Sequence, residues 1–129
     1  MKKTTPPKPT DSELAILRVL WRLGPTTVRR VHEELNRAQE TGYTTVLKML
    51  QIMTEKGLVK RDESERSHVY QPAFSEQSVQ RQLVGHLLER AFGGSAQKLV
   101  LQALASKKAS PKELAEIRKL LDKMESDSK

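Results

Sequence analysis

The stretch YTTVLKMLQIMTEKGLVKRDESERSHVYQ, residues 43–71, changes its hydrophobic period half-way along. Up to Lys56 its apolar residues recur three and four positions apart, which predicts a helix that ends at Gly57. The positions expected to be buried are Val46, Met49, Leu50 and Met53. Beyond the glycine, segments 58–62 and 67–71 carry β-branched and aromatic residues on either side of a charged loop. They predict a β-hairpin with an exposed, polar tip.

Two helices are predicted ahead of this stretch. The first begins at Thr10-Asp11-Ser12-Glu13, which has the pattern of a capping box, and ends at Gly24-Pro25. The second begins near Thr26 or Thr27 and has its apolar residues, Val28, Val31 and Leu35, along one side. Three helices followed by a hairpin is the element order of a winged helix-turn-helix domain, whose third helix enters the major groove of DNA.

The part of the chain after Ser75 is predicted to be helical. Gly93-Gly94 separates two helices there, and Ser110-Pro111-Lys112-Glu113 has the residues that favour the start of a third. In this third helix the apolar residues follow a spacing of three and four, which suits packing against another helix.

We therefore predict a mainly α protein in three parts. A disordered basic arm covers residues 1–9, an α+β winged helix-turn-helix domain with a two-stranded wing covers residues 10–74, and a three-helix dimerisation domain covers residues 75–126. The apolar residues expected at the contact between two copies are Leu83, Leu87, Leu88, Leu99, Leu101, Leu104, Leu114, Ile117, Leu121 and Met124.

Composition limits the class of function. Lys and Arg number 23 against 16 Asp and Glu, a net charge of +7 that favours a polyanionic partner. The basic excess is shared by both halves of the chain, so any specificity must depend on where side chains are placed. The chain has no cysteine. It also has no apolar run long enough to span a membrane, and residues 1–9 lack the apolar stretch of a signal peptide. We expect a cytoplasmic protein without membrane insertion.

Sequence signals for catalysis and metal binding are missing. His32, His68 and His86 lie on three different elements, without a second ligand at metal-binding spacing. There is no glycine-rich phosphate loop, nucleophile elbow or paired acidic motif. We expect no enzyme activity, no catalytic residue, no metal and no cofactor, and we expect the histidines to serve in surface or interface packing.

The side chains predicted to contact DNA belong to three elements. The polar residues at the start of the third helix are placed to reach base edges, and basic residues of the hairpin and of the second helix are placed to reach phosphates. They are Tyr43, Thr44, Thr45, Lys48, Arg66, Lys60, Arg61, Ser67, Arg29 and Arg30.

The chain resembles the penicillinase repressor family, the BlaI/MecI/CopY type of winged-helix transcriptional regulator, from about Thr10 to Met124. The similarity is strongest in residues 13–21 (ELAILRVLW), in residues 44–59 from Thr44-Thr45-Val46 to Gly57-Leu58-Val59, in the hairpin ending at Tyr70, and in Leu99-Val100-Leu101. It implies a homodimeric repressor bound to double-stranded operator DNA in front of resistance or stress genes, antibiotic resistance among them.

The resemblance also implies a route of induction. A membrane sensor with a metalloprotease domain leads to cleavage of the repressor in its dimerisation region, and the matching bond here is Gln102-Ala103, where the best-known members have Asn-Phe. The third helix departs from the family as well, because Gly42-Tyr43-Thr44-Thr45 replaces the frequent Ser-Pro-Lys-Thr, so the operator need not be the familiar one. Without cysteine, the thiolate copper site of one branch is excluded.

Two other functions fit the same elements. A ligand-sensing winged-helix regulator would need a pocket, and the chain has only five aromatic residues to line one. A winged-helix protein-interaction adaptor would bind mixed DNA weakly and without preference, whereas a repressor would select one palindrome in a salt-dependent way.

Overall fold

The computed structural model describes residues 5–64 and 66–128. Within them lie six helices and three short strands in this order: α1 Asp11–Leu23, β1 Thr26–Thr27, α2 Val28–Ala38, α3 Tyr43–Lys56, β2 Val59–Asp62, β3 Val69–Pro72, α4 Glu76–Ala91, α5 Ala96–Ser106 and α6 Pro111–Asp127. The predicted fold class, a mainly helical winged-helix protein, is confirmed.

The chain forms two compact units, Met1–Gly85 and His86–Lys129. The division falls inside α4, rather than ahead of it at Ser75 where the sequence places it. Unit 1 thus includes the first part of α4, where Val79 is only 1% exposed.

The capping boxes expected at two helix starts are both present. At α1 the Thr10 hydroxyl accepts a hydrogen bond from the Glu13 amide at 3.2 Å, and the Glu13 carboxylate accepts one from the Thr10 amide at 2.9 Å. Ser110 and Glu113 repeat the arrangement at α6. Each box satisfies amides that a helix start leaves without partners.

The sheet has three strands, in the order β1-β3-β2, and both pairings are antiparallel. The predicted two-stranded wing is therefore incomplete, because Thr26 and Thr27 pair with Tyr70 and Val69. Thr27 is the N-cap of α2, and its extended backbone, φ −86° and ψ 163°, serves the cap and the strand together. This third strand attaches the wing to the start of α2.

Unit 1 has a continuous apolar core. It lies between α1, α2, α3 and the sheet, and its fully buried members include Ile16, Leu17, Leu20, Val31, Val46, Leu50, Met53, Leu58 and Tyr70. Met49, predicted to be buried, is only half-buried; it packs against the edge of this core and lines a surface groove. The Trp21 indole Nε1 donates to the Phe74 carbonyl at 3.0 Å, which fixes the chain where it leaves the wing.

The structure describes residues 5–9 of the predicted arm. Pro6 and Pro9 are buried, and proline rings suit this because they are apolar and fix the backbone angle φ. Residues 1–4 of the arm lie outside the described residues, as do Glu65 and Lys129.

Unit 2 has no comparable core. None of the residues of α5 or α6 is buried. Large apolar side chains of this unit are exposed, among them Leu101 at 58%, Leu121 at 54% and Met124 at 59%. In the described part of the chain, no helix is both long enough and apolar enough to cross a bilayer.

Candidate nucleic-acid interface

The polar edge of α3 is free. Val46, Leu50 and Met53 anchor one side of this helix in the core of unit 1. The opposite side exposes the four residues predicted to reach bases, Tyr43, Thr44, Thr45 and Lys48. These four define the DNA-facing edge, which occupies the first two turns of the helix.

The start of α3 has an unusual cap. Its N-cap residue is Gly42, which offers no side-chain hydrogen bond to the first-turn amides. The positive end of the helix dipole therefore lies open beside the DNA-facing edge, where it favours negative charge. At the other end, Gly57 closes the helix in the left-handed conformation, with φ 84°.

Side chains of α2 hold the turn that leads into α3. The Asn36 carboxamide accepts from the Thr41 amide at 2.8 Å and donates to the His32 carbonyl at 2.9 Å. His32 Nε2 lies 2.9 Å from the Thr41 carbonyl oxygen. The rings of His32 and Tyr43 make an edge-to-face contact with centroids 5.6 Å apart. The first residue of the DNA-facing edge is thus supported by the helix before it.

A groove of about 570 Å³ lies beside Tyr43, between the starts of α2 and α3 and the wing. We call it the wing groove; its lining residues are Thr27, Val28, Arg29, Tyr43, Leu47, Arg66, Ser67, His68 and Tyr70. None of the described residues that line it is acidic. The fold therefore brings together four of the predicted DNA contacts, namely Arg29, Tyr43, Arg66 and Ser67.

The remaining cations of the wing have different surroundings. Lys60 is exposed, whereas the Arg61 guanidinium pairs with the Glu63 carboxylate at 2.6 Å. The Asp62 carboxylate accepts from the Ser64 amide at 2.9 Å, and this hydrogen bond lowers the pKa of Asp62. The wing thus holds acidic groups as well as basic ones, and Arg61 is engaged within it.

Arg30 also has acidic neighbours. Its guanidinium lies 3.6 Å from the Glu34 carboxylate and 3.9 Å from that of Glu33. The Glu34 side chain is buried and binds Arg22 at 2.8 Å, with Arg37 at 3.7 Å. Arg30 is therefore part of an ionic cluster around Glu34.

A further ion pair joins the beginning of α1 to the end of α3. Lys56 Nζ donates to the buried Glu13 carboxylate at 2.7 Å. Burial acts to raise the pKa of Glu13, but the hydrogen bonds from Lys56 and from the Thr10 backbone outweigh it, so the pKa lies below its ordinary value. This contact helps to fix the orientation of α3.

The predicted dimer residues are distributed over both units. Leu83 belongs to unit 1 and the other nine to unit 2. Leu83, Leu88, Leu99 and Ile117 are half-buried, and the other six are exposed. Gln102 and Ala103, the predicted cleavage position, are exposed inside helix α5.

Comparison with known proteins identifies the family. The family model described as penicillinase repressor matches residues 9–123. The chain belongs to the penicillinase repressor family.

Individual members of the family are similar to this one to different extents. The transcriptional regulator BlaI of Mycobacterium tuberculosis (strain ATCC 25618 / H37Rv) is 37% identical over 89 residues, which are 67% of this chain and 64% of that protein. The match thus spans slightly less than two thirds of that relative's length. The penicillinase repressor of Bacillus licheniformis is 26% identical over 122 residues, 95% of this chain and 94% of the relative.

A solved structure of this family includes DNA. It is the solution structure of the Bacillus licheniformis BlaI monomeric form in complex with the blaP half-operator, with a TM-score of 0.50 and 28% identity. The similarity covers 60% of this chain and 93% of that one.

The sequence analysis did not predict two features near the candidate site. The network of His32, Asn36 and Thr41 was not predicted, although His32 and Asn36 are four residues apart on one helix. The buried position of Glu34 was also not foreseen. The signal for it was present, because Arg30 and Arg37 lie four residues before and three residues after Glu34, spacings at which charges meet on a helix.

Proposed function

We propose that this chain is a sequence-specific transcriptional repressor that binds operator DNA as a homodimer. One observation carries the proposal: the polar edge of α3 is exposed directly beside a groove that contains two arginines and no described acidic residue. A helix with a free polar edge fits the major groove, and neighbouring cations fit the phosphates on either side.

We assign different roles to the two sets of side chains. Thr44 and Thr45 have methyl groups suited to thymine and hydroxyls suited to bases or phosphates, while Lys48 reaches guanine or phosphate. Arg29, Arg66 and Ser67 of the wing groove contact the backbone, with Lys60 beside them. Arg61 and Arg30 contribute less, because Arg61 must leave Glu63 at 2.6 Å and Arg30 shares the buried Glu34 at 3.6 Å. Arg29 has a looser partner, the exposed Glu33 at 3.9 Å.

A relative supports the DNA partner. The Bacillus licheniformis BlaI structure is described as a monomeric form bound to a half-operator. The similar region covers 60% of this chain and 93% of that one. A half-operator for one copy implies a full operator for two, so we propose a roughly palindromic site with half-sites one or more helical turns apart.

The homodimer is proposed from the exposed apolar residues of unit 2. A spacing of three and four places Leu114, Ile117, Leu121 and Met124 along one side of α6, and Leu121 and Met124 are more than half exposed. Exposed seams of this kind are typical of helices that pack against a second copy. The same residues in a partner would cover them.

We extend the proposal to the release of repression. Cleavage between Gln102 and Ala103, initiated by a membrane sensor with a metalloprotease domain, would separate α6 from the DNA-binding unit. The bond lies inside an exposed helix, so the helix must unwind locally before a protease can bind it in extended form. Mass spectrometry of the tagged chain from induced cells would then show a fragment ending at residue 102, and an intact chain after induction would contradict this step.

Selection of DNA from a random pool by the pure protein tests the proposal. We expect one enriched palindrome, bound about a thousandfold or more tighter than mixed DNA, with affinity that falls as salt rises. No enrichment, with weak binding to all DNA, would favour the adaptor alternative. Enrichment that a small cytoplasmic molecule abolishes without cleavage would favour the ligand-sensing alternative.

A further inference from the structure

Several side-chain hydrogen bonds hold the connection between α2 and α3. Besides the contacts of His32 and Asn36 already described, the Thr41 hydroxyl donates to the Gln39 carbonyl at 3.0 Å. His32, Asn36 and Thr41 are half-buried, and we call them the turn clamp. None of the three was predicted to contact DNA.

We propose that the turn clamp positions α3 for operator recognition, setting the angle and register at which Tyr43, Thr44 and Thr45 meet the bases. The inference rests on the proposed function, because it concerns how that helix meets its ligand. The three residues of the turn clamp are positioning residues: they hold the connection that precedes the DNA-facing edge and are not proposed to contact DNA themselves.

The need for such support follows from how α3 begins. Gly42 provides no side-chain cap. It is also the last residue of the short connection 39–42, and as a glycine it increases backbone freedom where the direction of α3 is set. Hydrogen bonds to base edges weaken when distance or angle departs from a narrow range. The clamp bonds Thr41, the residue before Gly42, and so fixes the approach to α3 from α2, whose buried face is anchored by Val28 and Val31.

The chemistry of the clamp defines what each residue must supply. A carbonyl oxygen only accepts, so His32 Nε2 donates to Thr41 and carries the proton. The role therefore needs an N–H at that position and an aromatic edge beside Tyr43. Asn36 must accept from one backbone group and donate to another at the same time.

These requirements can be separated by substitution. His32→Gln keeps a side-chain N–H and loses the ring, His32→Phe keeps the ring and loses the donor, and His32→Ala loses both. Asn36→Asp keeps the acceptor for Thr41 and loses the donor. Gln39→Ala is the matched control, because it alters the same turn at a residue of which only the backbone takes part in the clamp.

The experiment uses the full chain and three kinds of DNA: the palindrome selected by the wild type, single-base variants of it under the start of α3, and mixed DNA. Affinity is measured over a range of salt, with thermal unfolding in parallel. For His32→Ala we expect selected DNA to bind about tenfold more weakly, with mixed-DNA affinity and the salt slope unchanged. His32→Gln and His32→Phe should each restore part of the loss, Asn36→Asp should resemble them, and Gln39→Ala should behave as the wild type.

Other outcomes would overturn the inference. Equal losses on selected and mixed DNA would mean general destabilisation, and a salt slope lowered by about one would mean that His32 itself contacts a phosphate. Unchanged selectivity in a folded His32→Ala protein would remove the clamp from recognition, and if that variant fails to fold, His32→Gln and His32→Phe decide the matter. A wild-type protein that selects no DNA would refute the proposed function before any variant is compared.

Discussion

Helices α1 and α6 begin in the same way and end up in opposite surroundings. Each starts with a capping box and carries apolar residues at helical spacing. In α1, Ile16, Leu17 and Leu20 are buried by other parts of unit 1, whereas α6 has no buried residue. Periodicity therefore predicts a helix and its apolar face but does not say what covers that face.

The difference has an energetic consequence. Burying a leucine contributes about 1.5–3 kcal/mol relative to leaving it exposed, and isolated short helices are marginal in water. Unit 1 obtains this contribution within one chain, so its stability should not depend on protein concentration. Unit 2 would obtain it from a second copy, and its stability should rise with concentration.

The largest expected effect is on dimerisation. Leu121→Asp should weaken association by roughly 4 kcal/mol or more, because an unpaired carboxylate would enter the contact between the copies. Lys119→Asp introduces the same charge on another side of α6 and should leave the dimer intact. Sedimentation equilibrium measures both, and a Leu121→Asp protein that still has the mass of a dimer would contradict the assignment of unit 2.

A core substitution in unit 1 should be nearly as costly, but independently of concentration. Leu50 is fully buried on α3, so Leu50→Ala should lower the free energy of unfolding by about 3 kcal/mol. Ile52→Ala, on the exposed side of the same helix, should cost less than about 1 kcal/mol. Urea unfolding followed by the fluorescence of Trp21, the single tryptophan, reports on unit 1. Equal losses in the two variants would show that α3 is not anchored as described.

Operator binding comes next in size. Lys48→Ala should weaken binding to the selected palindrome by roughly 1–3 kcal/mol, because Lys48 lies on the DNA-facing edge. Lys98→Ala removes the same charge from α5 in unit 2 and should change affinity little. A gel-shift titration in which the two variants bind equally well would exclude Lys48 from the site.

The sequence predicted most of unit 1 because its signals are local. The capping residue Thr10, the glycine at position 57 and the helical spacing in α3 each determine structure only within a few residues of their own position. The third strand was not predicted because β1 has only two residues, Thr26 and Thr27, too few to show an alternation of apolar and polar side chains. Its pairing with β3 also depends on residues far along the chain.

The candidate site was predictable to a similar extent. Exposure of Thr44 and Lys48 followed from the periodicity of α3, but the partners of Arg30 and Arg61 did not, because a list of basic residues ignores the carboxylates beside them. The turn clamp escaped prediction since its bonds run from side chains to backbone groups, whose positions only the folded turn defines. The apolar face of α6 is the clearest case, since in the proposed dimer its burial depends on a second chain.

The smallest expected effect concerns the two capping boxes and their contribution to the free energy of unfolding. Glu13 is buried and bonded to Lys56, and its pKa lies below the ordinary 4.5, so its ionised form favours the folded state. That contribution is complete above the ordinary pKa and is lost as the pH falls through the lowered pKa of the folded protein. Glu13→Gln should therefore cost about 1 kcal/mol at neutral pH and reduce the loss of stability as the pH falls below the ordinary 4.5.

Glu113→Gln is the matched control, because Glu113 has the same place in the box of α6 but is exposed. It should change unfolding at neutral pH by only a few tenths of a kcal/mol. Some acid dependence should persist in both variants, since the pKa of Asp62 is lowered as well. If urea titrations gave the two variants the same pH profile, the contact between Glu13 and Lys56 would add nothing beyond a surface cap, and unit 1 would differ from unit 2 in its apolar packing alone.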